Sequence, residues 1–174
     1  MKLRHYDHDG RARFVTFCTH NRLPLLTNDE LISIVIEAIK DVRAQTGLKL
    51  LGYVIMPNHI HLVLIPPIDG KVGFIIGEIK RISAREIHRW LKTVNSKLLV
   101  RLNITRRGVA KFAFWQKRCF DHNCRSEEAV RTKVKYCHDN PVKWDLVKSP
   151  EEWRWSSHNC YHGSDNVPLE IDFD

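Results

Sequence analysis

The sequence lacks three features that would place the chain in a membrane or outside the cell. No apolar stretch is long enough to cross a bilayer, and residues 1–7 (MKLRHYD) do not contain the apolar run of a secretory signal. The five cysteines are odd in number and irregularly spaced, which excludes the disulfide framework of a small secreted domain. We therefore expect a cytoplasmic protein that does not associate with membranes.

Acidic residues are also few relative to basic ones. The chain has 20 Asp and Glu against 28 Lys and Arg, which gives a formal net charge of +8 and a pI of about 9.4. Such a balance suits a polyanionic partner, and nucleic acid is the first candidate. Charge by itself does not establish this, because many basic proteins carry only solvated cations.

The length and composition fit one folded domain. A chain of 174 residues with 43% hydrophobic residues can build a single core, and no repeat or low-complexity tract divides it. We expect one domain over residues 1–174. Its C-terminal tail begins at about residue 146, and Trp153, Trp155 and Tyr161 are expected to pack back onto the domain.

The spacing of apolar residues predicts the order strand, helix, strand, strand, helix, strand, helix. The first five elements are expected over Arg13–Thr19, Glu30–Gln45, Leu50–Met56, His59–Ile65 and about Lys71–Val94. The simplest packing of these elements is a four-stranded antiparallel sheet with helices on one face.

The second half of the chain is less regular. Residues 95–111 are basic and are expected to form a surface loop or a flexible insertion. Residues 115–125 are expected to be irregular and to end in a short strand. A last helix begins at the capping residue Ser126 and is expected to end near Asn140, because the residue before a proline disfavours helical geometry.

A His-x-His pattern lies in the third predicted element of extended structure. Side chains two apart on a strand point to the same face, so His59 and His61 project side by side while Ile60 points away. Two imidazoles presented in this way can chelate one metal ion. The same pattern also occurs as an ordinary pair of surface or partly buried histidines, so a metal site needs a further ligand.

Tyr136 and Asn140 supply the additional groups. At a spacing of four residues they lie on one face of the last helix, one turn apart. If this helix packs beside the strand that carries His59 and His61, the Asn140 side-chain oxygen completes a three-ligand site. The alternative is that Tyr136 belongs to the core and Asn140 is only a helix-terminal residue.

Two runs of residues connect this pattern to a known family. The run PNHIHLV at 57–63 resembles the HUH motif of single-tyrosine transposases, and YCHDNPVK at 136–143 resembles the catalytic-helix motif of REP-associated tyrosine transposases. In the insertion-sequence branch the third ligand is usually a glutamine, so Asn140 followed by Pro141 indicates the REP-associated branch. Further resemblances cover most of the chain: FVTF at 14–17, FWQ at 114–116, DH at 121–122, Arg125 and WRWSS at 153–157.

The resemblance implies a ferredoxin-like α+β fold, with helices packed on a four-stranded antiparallel sheet. It also implies that the Tyr136 oxygen attacks a phosphorus in single-stranded DNA and leaves a 5′-phosphotyrosine bond and a free 3′-hydroxyl. His59, His61 and Asn140 would hold Mg²⁺ or Mn²⁺, since nitrogen, amide and phosphate donors together suit these ions. The covalent bond conserves the phosphodiester energy, so the strand can be resealed without ATP.

The expected partner is single-stranded or hairpin DNA. Cations and rings that could contact its backbone or bases are Lys80, Arg81, Arg85, Phe114, Trp115, Lys117, Arg118, His122 and Arg125. For Trp115, a place in the core is the favoured alternative. The resemblance leaves the oligomeric state open. Insertion-sequence relatives form dimers with exchanged catalytic helices, whereas the longer tail here favours a monomer.

Three other interpretations stay open at this point. A non-catalytic protein could recognise hairpins and regulate the repeats, and a metal-dependent hydrolase would use water and leave no covalent adduct. Cys119, His122, Cys124 and Cys137 could form a zinc cluster, although they lack the repeated Cys-x-x-Cys spacing of structural zinc sites. The chain also departs from the family at Cys137, at Asp139 and in residues 95–111, but none of these departures removes a proposed ligand.

Overall fold

The computed structural model of the chain describes residues 10–106, 108–164 and 166–172. In chain order the strands are β1 (Arg13–Thr19), β2 (Lys49–Met56), β3 (His59–Ile65), β4 (Asn103–Arg106), β5 (Val109–Phe112) and β6 (Trp115–Asn123). The helices are α1 (Asp29–Thr46), α2 (Val72–Thr93), α3 (Leu98–Leu102), α4 (Glu127–Lys143) and α5 (His158–Tyr161).

Four of the strands form the central sheet, in the order β2-β3-β1-β6, and each neighbouring pair is antiparallel. Helices α1 and α2 cover one face of this sheet through a core that includes Val35, Ile79 and Ile60. The connection β1-α1-β2-β3-α2-β6 with this strand order is the ferredoxin-like arrangement. The predicted α+β fold is therefore confirmed.

Helix α4 lies on the opposite face of the sheet. Its Val134 and Cys137 pack against Phe14 of β1 and Val63 of β3 in a second, smaller core. The expectation that all helices share one face was therefore wrong. The cause is that β2 and β3 are buried on both faces, and a sheet that is apolar on both faces needs cover on both.

Helix α4 also continues past the predicted stop, through Pro141 to Lys143. The proline removes one backbone donor near the C-terminal end, while later donors keep the turn closed. The N–H of Trp144 donates to the carbonyl of Asn140 at 3.2 Å, and the N–H of Leu146 donates to that of Pro141 at 3.0 Å. The start agrees with the prediction, because the Ser126 hydroxyl accepts a hydrogen bond from the N–H of Ala129.

Strand β6 is longer and more regular than predicted. The strand runs over nine residues, from Trp115 to Asn123, and its residues 119–123 pair with β1 in continuous register, with one irregularity nearer its start. The alternation was hard to detect because β6 is an edge strand, and most of its exposed positions carry charged and polar residues instead of the usual β-formers.

The described residues of the segment 95–111 form a short helix and two paired strands. Helix α3 precedes the two-stranded sheet of β4 and β5, which is separate from the main sheet. Leu102 is buried and its carbonyl accepts from the N–H of Ala113 at 2.8 Å, which fixes the base of the hairpin. This corrects the expectation of a surface loop or flexible insertion.

The C-terminal tail runs along the free edge of β2. The N–H of Ile55 donates to the carbonyl of Trp155 at 2.8 Å, and the N–H of Asp172 donates to that of Leu50 at 2.7 Å. The Tyr161 hydroxyl donates to the carbonyl of Leu51 at 2.7 Å.

Within the described part of the chain, none of the helices combines the length and apolar content of a bilayer-spanning segment.

Candidate active site

Strand β3 presents His59 and His61 on the face of the sheet that α4 covers. Their ring centroids lie 4.6 Å apart, and both side chains are buried. Ile60 and Leu62 point to the opposite core, as the alternation of a strand requires. The predicted pairing of the two imidazoles is therefore present in the fold.

A hydrogen bond orients each imidazole through its Nδ1 atom. Nδ1 of His59 lies 2.6 Å from Oδ1 of Asn58, and Nδ1 of His61 lies 2.7 Å from the hydroxyl of Thr16 on β1. When Nδ1 donates in these pairs, Nε2 carries the free lone pair of each ring. Such hydrogen bonds fix both the orientation and the tautomer of a metal-binding histidine.

Asn140 is only 1% exposed, and its side chain acts on His59, whose pKa it raises. Its Oδ1 atom and Nε2 of His61 are both buried without a hydrogen-bond partner among the described residues. Buried polar atoms are nearly always paired. These two unpaired acceptors, one oxygen and one nitrogen, together with the imidazole of His59 form a donor set that a divalent cation fits. His59, His61 and Asn140 are therefore candidate ligands.

Burial lowers the pKa of His59 to about 4 and that of His61 to about 3. For His59 the positive charge of Arg22 lowers the pKa further, while the Asn140 side chain raises it. For His61 the neighbouring His59, Lys133 and Arg22 all add to the lowering. Both rings are thus neutral near pH 7, which is the form that binds a metal ion.

Tyr136 lies one helical turn before Asn140 and faces the histidine pair. Its ring centroid is 5.3 Å from that of His61 and 5.7 Å from that of Phe14, and the residue is 38% exposed. Because α4 continues through Pro141, the one-turn relation between Tyr136 and Asn140 is kept. The alternative that Tyr136 is a core residue is not supported, since its ring opens to solvent beside the two imidazoles.

Two lysines that the sequence interpretation missed lie next to the tyrosine ring. The Lys143 Nζ atom is 5.0 Å from the Tyr136 ring centroid, and the Lys133 Nζ atom is 5.9 Å from it and 4.8 Å from that of Phe14. Their spacings of three and seven residues from Tyr136 are those of one helix face, which is a signal that could have identified them. With Arg22 they surround the site with positive charge.

The three cations predicted on α2 lie on a different side of the sheet from the histidine pair. Lys80 donates to the backbone carbonyls of Gln116 and Arg118 at 3.0 and 3.2 Å, which ties α2 to β6. Arg81 pairs with Glu78, and Arg85 pairs with Glu86. The structure therefore does not bring these predicted DNA contacts to the candidate site.

The aromatic prediction at Trp115 needs correction. The residue is buried in the core between α2 and β6, and its indole N–H donates to the Ser83 hydroxyl at 2.9 Å. Phe114 is buried as well, so neither ring is open to a base. Arg118 and Arg125 are exposed, on β6 and just before α4.

The zinc interpretation does not hold in the described ranges. Residues 10–106, 108–164 and 166–172 contain no group of three or more His, Cys, Asp or Glu side chains arranged to hold a metal ion. The five cysteines are free thiols, with Cys18, Cys124 and Cys137 buried. The candidate metal site differs from such groups because its third donor is an amide.

Several known proteins share features with this chain. A candidate REP-associated tyrosine transposase from Haemophilus influenzae is 26% identical over 104 residues, which are 59% of this chain and 54% of that protein. The chain thus spans about half the length of this curated relative.

Two solved structures share the fold. The structure of a REP-associated tyrosine transposase bound to a REP hairpin has a TM-score of 0.71 at 23% identity and covers 100% of this chain and 92% of that chain. A candidate transposase from Deinococcus radiodurans R1 has a TM-score of 0.51 at 18% identity and covers 80% of this chain and 97% of that one.

The family match gives the assignment. The model described as "Transposase IS200 like" matches residues 11–140, which include β1, β3 and α4 as far as its Asn140. The matched range contains the two histidines, the tyrosine and the asparagine that the fold brings together. The chain therefore belongs to the IS200-like transposase family.

Proposed function

We propose that this protein cuts and rejoins single-stranded DNA at hairpins, with Tyr136 as the nucleophile. The main support is geometric. The Tyr136 ring lies 5.3 Å from that of His61 and one helical turn from Asn140, whose buried Oδ1 has no partner among the described residues. A nucleophile beside buried nitrogen and oxygen donors suits metal-assisted phosphoryl transfer.

In the proposed reaction the Tyr136 hydroxyl oxygen attacks the phosphorus of a phosphodiester. The new bond joins the tyrosine oxygen to the 5′-phosphate, and the bond from phosphorus to the 3′-oxygen breaks. The phenol proton passes to solvent, and the leaving oxygen takes up a proton to become a 3′-hydroxyl. Resealing is the same exchange in reverse, with a 3′-hydroxyl attacking the phosphotyrosine.

A bound Mg²⁺ or Mn²⁺ would polarise the phosphate oxygens, which matters because tyrosine is a poor nucleophile near neutral pH. The chain itself orients the groups. Thr16 and Asn58 hold the two imidazoles, while Lys133 and Lys143 would attract the phosphate to the tyrosine. The hairpin as substrate rests on the likeness to a transposase solved with a REP hairpin.

The test is incubation with a labelled hairpin that carries single-stranded flanks, in Mn²⁺, followed by a denaturing gel. We expect a protein–DNA adduct that Tyr136→Phe abolishes. Tyr161→Phe is a matched control, because Tyr161 is exposed to a similar degree but its hydroxyl is held by the carbonyl of Leu51. Cleavage without an adduct would indicate a hydrolase. Binding without cleavage, unchanged in Tyr136→Phe, would indicate a regulatory hairpin-binding protein.

A further inference from the structure

The edge strand β6 carries an exposed aromatic pair beside the candidate site. Arg118, Phe120 and His122 are the exposed positions of its alternating pattern, and Phe120 is 48% exposed. The rings of Phe120 and His122 are nearly parallel, with an interplanar angle of 5° and centroids 6.4 Å apart. Edge strands usually carry charge and avoid apolar groups, so an exposed phenylalanine here calls for an explanation.

The strand register places Phe120 in the same row as the histidine pair. Phe120 lies opposite Thr16 of β1, and Thr16 lies opposite His61 of β3. Facing residues of antiparallel strands point to the same side of the sheet, and two strand spacings separate Phe120 from His61 by about 10 Å. Helix α4 covers β2 and β3 on this side but leaves Phe120 open.

A second exposed ring lies next to the other histidine of the pair. Trp144 follows α4 directly, is 60% exposed, and has its ring centroid 6.3 Å from that of His59. Its backbone is held at the helix end by the hydrogen bond to the carbonyl of Asn140. The indole is therefore presented from a fixed position next to a candidate metal ligand.

These rings are concentrated at the site. In the described part of the chain, five Phe, Tyr and Trp side chains are strongly exposed, and three of them are Phe120, Tyr136 and Trp144. The other two, Phe74 and Tyr161, lie on α2 and in the C-terminal tail. The rings stand among cations, including Arg118, Lys133 and Lys143, which suits a polyanionic partner.

We propose that Phe120 and Trp144 are stacking platforms for the bases on the two sides of the scissile phosphate. This inference rests on the proposed function, because it takes the DNA path to cross the histidine pair. Every base has a flat face, so stacking holds a single strand without reading its sequence, and the nearby cations would neutralise the phosphates. The two rings would fix the strand so that the phosphorus lies at Tyr136, with His122 extending the platform on β6.

The test measures binding in the absence of chemistry. Phe120→Ala and Trp144→Ala are made in the Tyr136→Phe background, with Phe74→Ala as the matched control, and hairpins with and without single-stranded flanks are titrated by fluorescence anisotropy. We expect each platform variant to weaken binding of the flanked hairpin about 5- to 100-fold and to leave the blunt hairpin unchanged. Phe74→Ala should change neither affinity by more than about twofold.

Two further measurements keep the result interpretable. Phe120→Trp keeps a flat ring and should retain affinity even if the alanine variant is poorly folded. With the parent protein, abasic nucleotides in the flanks should weaken hairpin binding by the same factor as the alanine substitutions do. With the alanine variants, abasic flanks should cause no further loss of affinity. Equal losses for blunt and flanked hairpins, or losses no larger than that of Phe74→Ala, would overturn the proposal. A missing covalent adduct with the flank effect intact would instead reject only the proposed chemistry.

Discussion

The hydroxyl of Thr16 lies 2.7 Å from Nδ1 of His61, across the pairing of β1 with β3. The contact follows directly from the strand register, because Thr16 and His61 are opposite each other and point to the same face. It leaves Nε2 of His61 buried and directed away from Thr16, without a partner among the residues that the structure describes. A residue of the opening strand thus orients a candidate metal ligand of the third strand.

Thr16→Val should weaken metal binding while preserving the fold. Valine keeps the β-branched shape of threonine but cannot hydrogen-bond the imidazole, and loss of such an orienting partner typically lowers metal affinity about 10- to 100-fold. The measurement is calorimetric titration with Mn²⁺. Thr93→Val, at an exposed position at the end of α2, is the control and should bind like the parent protein. Unchanged affinity in Thr16→Val would contradict this role of the hydroxyl.

Asn140→Leu should separate stability from function. The amide oxygen of Asn140 is buried and unpaired within the described ranges, so leucine of similar size removes an unsatisfied polar group. Without metal, we expect the free energy of unfolding to stay the same or to rise by about 1 kcal/mol. Mn²⁺ binding and adduct formation should both be lost. A variant that loses more than about 2 kcal/mol of stability would show that the side chain is structural instead.

Which of the candidate site residues share a face could be predicted from short-range spacing. His59 and His61 share a face because side chains alternate along a strand, and Tyr136 and Asn140 share a face because they are one helical turn apart. Whether these two faces meet depends on tertiary packing. No local pattern shows that α4 crosses to the far side of the sheet while α1 and α2 stay on the near side.

The predicted DNA contacts depended more on long-range structure. Lys80 looked like a surface cation on a helix, yet it holds the backbone of β6 from the other side of the sheet. Trp115 stands beside basic residues in the sequence but points into the core. Phe120 was missed because its exposure depends on the register of an edge strand that the sequence pattern did not define.

Replacing Trp115 by phenylalanine should affect stability and leave DNA binding unchanged. The substitution removes the indole N–H that donates to the buried Ser83 hydroxyl and leaves space in the core. We expect a loss of about 1 to 3 kcal/mol in the free energy of unfolding, measured with denaturant. Affinity for a flanked hairpin, measured below the unfolding transition, should equal that of the parent protein. A specific loss of affinity without loss of stability would restore the stacking role for Trp115.

The last prediction concerns the ion pair that holds β6 against β1 behind the aromatic platform. Arg13 and Asp121 face the core side of the sheet, each side chain only 2% exposed, with Nη1 3.4 Å from Oδ2. Asp121 lies between Phe120 and His122 in sequence and points the opposite way, so the pair anchors the strand from which those rings project. Removing one partner takes away part of the compensation of a buried charge, and Asp121→Asn should reduce the free energy of unfolding by about 1 to 3 kcal/mol.

Replacing both partners distinguishes charge compensation from simple packing. Arg13→Met with Asp121→Leu removes both charges of the pair together, and apolar replacements of buried ion pairs are often neutral or stabilising. We expect the double variant to be more stable than Asp121→Asn and to bind the flanked hairpin like the parent protein, since β6 remains paired with β1. If stability returns but binding of the flanked hairpin does not, then the ion pair itself sets the position of the Phe120 platform. The double-mutant cycle, completed with both single variants, measures the coupling between the two residues.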